Sequence, residues 1–231
     1  MGFGVQQSHF LLPRYSIVIV NYNNAKLTNN CIKSILKSNY DVDDIEIIVI
    51  DNNSKEKLTV PDGVQLISNN VNLLYTGGNN QGIMLSRGDY IIILNNDTIV
   101  HKEWLNEIDK VLKDDFVGIV QPKILQYKTN KLDTSIPKIS WLYRAKCLGI
   151  GEVDKGQYDN EPIDYACGAC MILTREMLSK VGLFDARFGM HCEDMDLSIR
   201  AKKAGFKVVL APKAKIWHIR QASMSKIPKW L

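Results

Sequence analysis

Short runs of aliphatic and β-branched residues alternate with segments of helical spacing through the first hundred residues. The runs predict buried strands at Tyr15–Val20, Ile45–Ile50, Val64–Ile67 and Tyr90–Leu94. Apolar residues at 27, 31, 32, 35 and 36 have helical spacing, and a second helical stretch follows Gly77-Gly78. This alternation predicts βαβ units and a mostly parallel central sheet with helices on both faces.

In the second half of the chain, some segments have apolar residues at helical spacing and others are short apolar runs typical of strands. This pattern predicts a helix near 102–112, a strand near 117–121, a helix near 175–181, a helix from about Glu193 to Ala204 and a strand at Lys207–Leu210. Gly205 occupies the position of a helix-terminating glycine. Residues 126–162 are irregular and long for a connection, which indicates a functional loop or a small excursion.

Asn and Asp side chains follow three of the predicted strands. They lie at 21–24 (Asn-Tyr-Asn-Asn), 51–54 (Asp-Asn-Asn-Ser) and 95–98 (Asn-Asn-Asp-Thr). Ligands of open parallel sheets bind beyond the carboxyl ends of the strands. Asn and Asp also form turns and helix caps. Three such loops at one sheet edge favour a polar binding site.

Composition narrows the class of protein. The chain has 231 residues, 45% of them hydrophobic and 23% charged, as in a globular domain with a sizeable core. A net charge of +4 with scattered Lys and Arg suits an anionic small ligand or an acidic membrane surface, and does not indicate nucleic-acid binding. Five cysteines, an odd number, form no evident disulfide framework, so we expect a reduced, cytoplasmic setting. A peripheral position at the inner face of a membrane is left open as an alternative.

Single residues offer candidate chemistry with structural alternatives. Asp97 suits a hard divalent cation, although it could instead cap the helix that contains Trp104. Asp194 lies in the first turn of a helix, where it could act as a general base or only balance the helix dipole. His218 by itself is more typical of a packed or solvent-facing side chain. Asp196 and Arg200, four residues apart, predict a structural ion pair.

Two further motifs carry less weight. Cys167 and Cys170 have metal or redox spacing, but a zinc site would need His191 and Cys192 as well, and the apolar context favours two buried hydrophobic residues. The segment 77–82 (Gly-Gly-Asn-Asn-Gln-Gly) predicts a turn whose backbone could approach a ligand closely. It is not a P-loop, because no Gly-Lys-Ser/Thr follows.

Taken in order, these segments resemble the inverting family 2 glycosyltransferases with a GT-A fold, in particular the rhamnosyltransferase-like branch. The resemblance extends from about Tyr15 to about His218. Its motifs are Ile-Val-Ile-Val-Asn-Tyr-Asn at 17–23, Val-Ile-Asp-Asn-Asn-Ser at 49–54, Gly-Gly-Asn-Asn-Gln-Gly at 77–82, Leu-Asn-Asn-Asp-Thr at 94–98, Tyr-Ala-Cys-Gly-Ala-Cys-Met at 165–171, Gly-Leu-Phe-Asp at 182–185 and Glu-Asp-Met-Asp-Leu-Ser-Ile-Arg at 193–200.

The resemblance implies an α/β GT-A fold over one domain, 15–220, with a nucleotide-binding part (15–98) and an acceptor and catalytic part (99–220). Residues 1–14 are expected to be a flexible leader or an expression remnant. Residues 221–231 are expected to be a tail with interfacial character or a truncation point. The residues implied to bind the nucleotide are Asn21, Asn23, Asp51, Gly78, Asn79 and Asn96. Asp51 would accept a hydrogen bond from the pyrimidine base, and Gly78 and Asn79 would close over the base and ribose.

The resemblance also implies catalytic and metal-binding roles. Asp194 matches the general base and Glu193 its neighbour at the acceptor. Asp97 matches the last residue of an Asp-X-Asp metal motif, and His218 a histidine that reaches the metal or diphosphate. Asn95 replaces the first acid of that motif, so one carboxylate remains for Mn²⁺ or Mg²⁺. Weak metal affinity, with the diphosphate supplying much of the coordination, is expected.

The expected reaction moves a sugar from a UDP- or dTDP-sugar to a hydroxyl of a glycan, glycolipid or other acceptor, with inversion and metal assistance. A nucleotidyltransferase is the alternative among enzymes, but it would carry a Gly-rich, basic loop after the first strand, where this chain has Asn21–Asn24. A non-catalytic nucleotide-sugar-binding domain is the alternative outside enzymes. The Glu193-Asp194 pair argues against it.

Overall fold

The computed structural model describes residues 12–134, 136–140 and 144–220. The predicted tail, 221–231, and residues 1–11 of the predicted leader lie outside the described residues. The end of the leader contacts the domain, because Arg14 Nε donates to Asp109 Oδ1 over 2.9 Å. Within the described part, no helix is both long and apolar enough to cross a membrane.

The described part of the chain is an α/β structure with one large sheet and one small sheet. Its helices are α1 (Ala25–Leu36), α2 (Leu74–Leu85), α3 (Trp104–Val111), α4 (Arg175–Val181) and α5 (Glu193–Lys203). Its strands are β1 (Tyr15–Asn21), β2 (Ile45–Asp51), β3 (Val64–Ser68), β4 (Tyr90–Leu94), β5 (Thr98–Val100), β6 (Val117–Gln126), β7 (Ile136–Ile139), β8 (Ala145–Leu148), β9 (Cys170–Thr174) and β10 (Lys207–His218). The predicted helices at 102–112, 175–181 and 193–204 are confirmed within two residues at each end.

Within the described residues, the main sheet has eight strands in the order β3-β2-β1-β4-β9-β6-β10-β5. Strands β3, β2, β1 and β4 are parallel, as the alternating pattern predicted. Strand β9 was not predicted; it runs antiparallel between β4 and β6. Because β9 runs the other way, its first residues lie at the same sheet edge as the carboxyl ends of β1, β2 and β4. This edge carries the candidate site.

Strand β10 is longer than the predicted Lys207–Leu210. Its register with β6 shifts between Ala211 and Lys215, around Pro212. Proline has no N–H to donate to a ladder and is found in sheets at edges and bulges. After this irregularity β10 continues to His218, which pairs with Gln126 and Thr98. The extension brings His218 to the candidate site.

The predicted turn over residues 77–82 is wrong, because these residues lie inside helix α2. Glycine and asparagine have poor helix propensity, but tertiary packing overrides it here. A Cβ on Gly82 would lie 2.2 Å from Val18 Cγ1, and one on Gly78 would lie 3.1 Å from Val20. The glycines therefore let α2 approach β1 closely.

The irregular stretch 126–162 contains a second, two-stranded sheet of β7 and β8 in the described residues. The same stretch carries Asp154 and Asp159, which form ion pairs with Lys123, a buried side chain of β6. These ion pairs help to hold the stretch to the main sheet.

The predicted pair of Asp196 and Arg200 is confirmed at 2.8 Å. Gly205, with φ of +90°, follows α5 as predicted.

Candidate functional site

The polar loops after β1, β2 and β4 meet at one edge of the sheet. Asn21 at the end of β1 is in register with Asp51 at the end of β2. The loop after β4 is attached to the segment before β9, since Asn95 N–H donates to the Ala169 carbonyl over 3.0 Å. Three segments distant in sequence thus form one surface.

Asn21 lies at the centre of a buried hydrogen-bond network. Its amide nitrogen donates to Asp51 Oδ1 over 2.6 Å, and its amide oxygen accepts from Thr28 Oγ1 over 2.7 Å. Asn96 donates to Thr28 Oγ1 over 3.1 Å. Ser54 Oγ donates to Asp51 Oδ1 over 2.6 Å. Both ends of the Asn21 amide are therefore used by the protein, and Asn21 holds the loops together.

A cavity of about 190 Å³ opens beside this network. It is lined by Val20, Tyr22, Asn24, Asn52, Asn72, Leu74, Tyr75, Asn95, Asn96, Asp97 and Met190. Of the six residues expected to bind the nucleotide, Asn96 lines the cavity. The other five residues do not line it; they are Asn21, Asn23, Asp51, Gly78 and Asn79. A larger apolar pocket lies between α1 and the first residues of β2 and β3, away from the polar edge.

Asn23, Gly78 and Asn79 make structural contacts. Asn23 has φ of +54°, and its side-chain oxygen accepts from Lys55 N–H over 2.7 Å, which fixes the loop after β1. Asn79 is buried in α2 and donates to the Tyr75 carbonyl over 3.0 Å. Gly78 and Asn79 were expected to close over the nucleotide as part of a turn. The turn is absent, because in α2 Gly78 lies against Val20 of β1 and Asn79 is buried; their contact with a nucleotide stays a prediction.

Asp97 is buried and does not cap a helix. Helix α3 begins at Trp104 after Glu103, and no side chain caps it. Asp97 Oδ1 lies 3.2 Å from His218 Nε2, and Asp97 Oδ2 has no hydrogen-bond partner in the described residues. A buried carboxylate oxygen without a partner is costly unless something else binds it. The capping alternative is therefore wrong.

His218 is held between two carboxylates. Its Nδ1 lies 2.9 Å from Asp133 Oδ2, opposite the contact with Asp97. Burial lowers the pKa of His218, but its contacts with Asp133 and Asp97 outweigh burial and raise that pKa to about 9. The Asp133 carboxylate also pairs with Arg220. Asp133 was missed from sequence because it lies in the irregular stretch, 85 residues from its partner.

Glu193 and Asp194 begin helix α5 behind the segment that precedes β9. Asp194 Oδ2 accepts from Gly168 N–H over 2.8 Å. Burial raises the pKa of Asp194, against the backbone hydrogen bonds that lower it. Burial also raises the pKa of Glu193, to about 7, and Glu193 Oε2 has no partner in the described residues. Such raised values are typical of acids and bases in enzyme sites.

The cysteines form no metal site. Cys170 is buried in β9, Cys167 is partly buried, and Cys192 is exposed. Among the described residues, no group of three or more His, Cys, Asp or Glu side chains could hold a metal by itself. The zinc alternative thus has no support, while Asp97 and His218 form a two-residue arrangement that would need further ligands from elsewhere.

Comparisons with known proteins identify glycosyltransferases. The sequence profile described as "Glycosyl transferase family 2" matches residues 16–182. The chain is 27% identical over 212 residues to the low-salt glycan biosynthesis hexosyltransferase Agl10 of Haloferax volcanii, covering 88% of this chain and 66% of that protein.

Two solved structures share the fold. One is the mannosyltransferase PcManGT from Pyrobaculum calidifontis in complex with GDP-Man and Mn²⁺ (TM-score 0.66, 16% identity, 95% of this chain and 59% of that one). The other is GalNAc-T7 with UDP, GalNAc and Mn²⁺ (TM-score 0.73, 18% identity, 90% of this chain and 44% of that one). The predicted GT-A fold is confirmed. The chain spans two thirds or less of the length of each of these proteins.

Proposed function

The chain belongs to glycosyl transferase family 2, and from this premise we propose that it transfers a sugar from a UDP- or dTDP-sugar to an acceptor hydroxyl with inversion. The acceptor class we propose is a glycan or a lipid-linked glycan. The similarity to a hexosyltransferase of glycan biosynthesis supports this class.

The observation that carries the proposal is that hydrogen bonds connect the segment containing Asp97 with Asp194 at one edge of the sheet. Asn95, two residues before Asp97, donates to the Ala169 carbonyl, and the adjacent Gly168 donates to Asp194. The cavity lined by Asn96 and Asp97 lies beside this connection. A donor diphosphate near Asp97 would then place its sugar toward Asp194.

Asp97 and His218 fit a divalent cation. Asp97 offers a buried oxygen without a partner, and His218 offers an imidazole nitrogen 3.2 Å from the other oxygen. Carboxylate and imidazole are both ligands of Mn²⁺, and Mn²⁺ is present in the two solved structures. A divalent cation bound there would neutralise negative charge on the departing diphosphate.

Asp194 would act as the general base. It would take the proton from the acceptor hydroxyl as that oxygen bonds to the anomeric carbon from the face opposite the diphosphate. The bond between that carbon and the diphosphate oxygen breaks, and its electrons leave with the nucleoside diphosphate. Gly168 N–H keeps one oxygen of Asp194 oriented throughout. Glu193 would contact the acceptor beside it.

The test measures release of nucleoside diphosphate from a panel of UDP-, dTDP- and GDP-sugars with Mn²⁺, in the presence and absence of candidate glycan acceptors. We expect one donor to be consumed, with the product anomer inverted. Asp194→Asn should lower the rate about 10²- to 10⁴-fold, the usual effect of losing a general base. Asp196→Asn, in the same helix but paired with Arg200, is the matched control and should keep the rate.

The non-catalytic alternative predicts a different result from the same panel. A binding domain would raise its melting temperature with one sugar nucleotide and Mn²⁺, but would release no nucleoside diphosphate with any acceptor. Full activity of a correctly folded Asp194→Asn variant would show that another group serves as the base.

A further inference from the structure

The segment before β9 is anchored by its own backbone N–H groups. Three consecutive N–H groups donate to three side chains, namely Ala166 to Ser198 Oγ (3.1 Å), Cys167 to Gln121 Oε1 (2.6 Å) and Gly168 to Asp194 Oδ2 (2.8 Å). Ser198 and Asp194 belong to α5, and Gln121 belongs to β6. Gly168 therefore holds one oxygen of Asp194, while Met195 N–H donates to the other over 2.7 Å.

The carbonyl of Gly168 is fixed by a side chain of another helix. Tyr75, in the first turn of α2, donates its hydroxyl to that carbonyl over 2.6 Å. The same side chain lines the cavity that contains Asp97. Its ring packs edge-on against Phe184, with 6.1 Å between centroids. Tyr75 thus connects the wall of the cavity with the residue that orients Asp194.

The absence of a side chain at Gly168 makes this connection possible. A Cβ there would lie 3.0 Å from Tyr75 Oη, 3.4 Å from Glu193 Oε1 and 3.5 Å from Asp194 Oδ2. All three functional groups converge on the space that a side chain would take. Gly168 therefore lies where Tyr75 of the cavity wall packs close to Glu193 and Asp194.

We propose that Tyr75 is a positioning residue for the general base. Its hydroxyl fixes the Gly168 backbone, and the Gly168 N–H in turn fixes Asp194. The proposal rests on the proposed function, since it takes Asp194 as the base. It concerns the hydroxyl specifically: the aromatic ring fills space between α2 and Phe184, and a phenylalanine would do that equally well.

The Tyr75 hydroxyl remains a donor under ordinary conditions. Burial, with the neighbouring charges of Glu193 and Asp194 adding to it, raises the pKa of Tyr75 well above its usual value. The hydroxyl therefore keeps its proton over the pH range in which a transferase would be assayed.

The experiment compares Tyr75→Phe with the wild-type chain in Mn²⁺, using the best donor of the panel and the acceptor that supports its fastest turnover. We expect kcat to fall about fivefold, the factor that an ordinary neutral hydrogen bond is worth, and KM for the donor to stay the same. Tyr40→Phe is the matched control. It also removes a tyrosine hydrogen bond to a protein oxygen, with Asp109 Oδ2 at 2.9 Å, but lies outside the site. It should keep the wild-type kcat.

Two further readouts separate positioning from a general loss of stability. The acid limb of the kcat–pH profile should move to higher pH in Tyr75→Phe, because a displaced Gly168 N–H stabilises the Asp194 carboxylate less. The other titratable groups near Asp194 are unchanged by the substitution; they are Glu193, His191, Tyr165, Cys167 and Cys147.

The second readout is a double variant. Gly168→Ala should lower kcat less in the Tyr75→Phe background than in wild type, because the hydroxyl nearest the new methyl is gone.

The outcomes distinguish this proposal from the proposed function. Wild-type kcat and an unshifted pH profile in Tyr75→Phe, together with an inactive Asp194→Asn, would overturn the positioning role and leave the function standing. A rise in KM alone would also overturn it, because the hydroxyl would then act in donor binding. If the wild-type chain consumes no donor with any acceptor of the panel, the proposed function itself is wrong.

Discussion

At the scale of single residues, Glu193 has a proposed role beside the acceptor and, because it is buried, a cost in stability that depends on pH. Burial raises its pKa from 4.5 to about 7, so the unfolded chain releases this proton at lower pH than the folded chain does. The folded state therefore loses stability as pH rises from about 4.5 to about 7. Glu193→Gln removes this loss and should be more stable than wild type at pH 8, by up to about 3 kcal/mol.

The check is urea unfolding of both proteins at pH 5 and pH 8. The stability difference between them should be larger at pH 8 by most of that amount. Glu176→Gln is the control, since Glu176 is exposed on α4 and its pair with Lys180 is a surface one; it should change stability by less than about 0.5 kcal/mol. Equal differences at both pH values would contradict the prediction.

Sequence reasoning identified some site residues and missed others for one physical reason. Asp97, Asp194 and His218 lie in short sequence motifs, which can be recognised without knowing the fold. Asp133 and Tyr75 acquire their roles through contacts across 85 and 93 residues. No local pattern marks them, because a lone Asp in a loop or a Tyr in a helix is ordinary until the fold supplies its partner.

At the scale of elements, the strands of the first half were predictable because parallel strands buried on both faces are continuous apolar runs. Strand β9 was missed because its run, Cys170–Thr174, is short and leads directly into α4. Helix α2 was predicted as a turn in part, because its glycines and asparagines are poor helix formers. Packing against β1 decides its structure, and this packing gives a test.

Gly82→Ala should destabilise the protein although alanine is the better helix former. The new methyl would lie 2.2 Å from Val18 Cγ1, a fully buried atom, and overpacking of this kind costs about 1–3 kcal/mol. That cost should exceed the gain of about 1 kcal/mol in helix propensity. Thermal unfolding measures the net change, with Met84→Ala as the control at an exposed position of the same helix. Val18→Ala in the Gly82→Ala background should recover part of the loss; a more stable Gly82→Ala would exclude the close packing.

At the scale of the whole molecule, the candidate site includes Asp133 from the excursion, which backbone hydrogen bonds such as Asp133 N–H to the Ile124 carbonyl join to β6. Among the contacts of charged side chains that also attach the excursion, two are mostly buried. One is the pair of Asp133 with His218 at the end of β10. The other is Lys123, whose side chain is 5% exposed and lies between Asp154 and Asp159. Burial raises the pKa of Asp154, but its contacts with Lys123 outweigh burial and lower it. The sequence indicated that this stretch was an excursion, but not how it is attached.

Lys123→Met should release the excursion while leaving strands β1 and β2 in place. Removing the cation leaves Asp154 buried, with only Lys215 at 3.5 Å among its ion-pair partners in the described residues, and breaking a buried pair in this way costs about 3–5 kcal/mol. Hydrogen exchange followed by mass spectrometry should show faster exchange in peptides covering 152–160 and little change in β1 and β2, since local openings differ in free energy across a fold. Lys207→Met, which removes an exposed pair with Asp114, should change neither region. Unchanged exchange at 152–160 in Lys123→Met would mean that contacts elsewhere hold the excursion, and that the buried lysine does not.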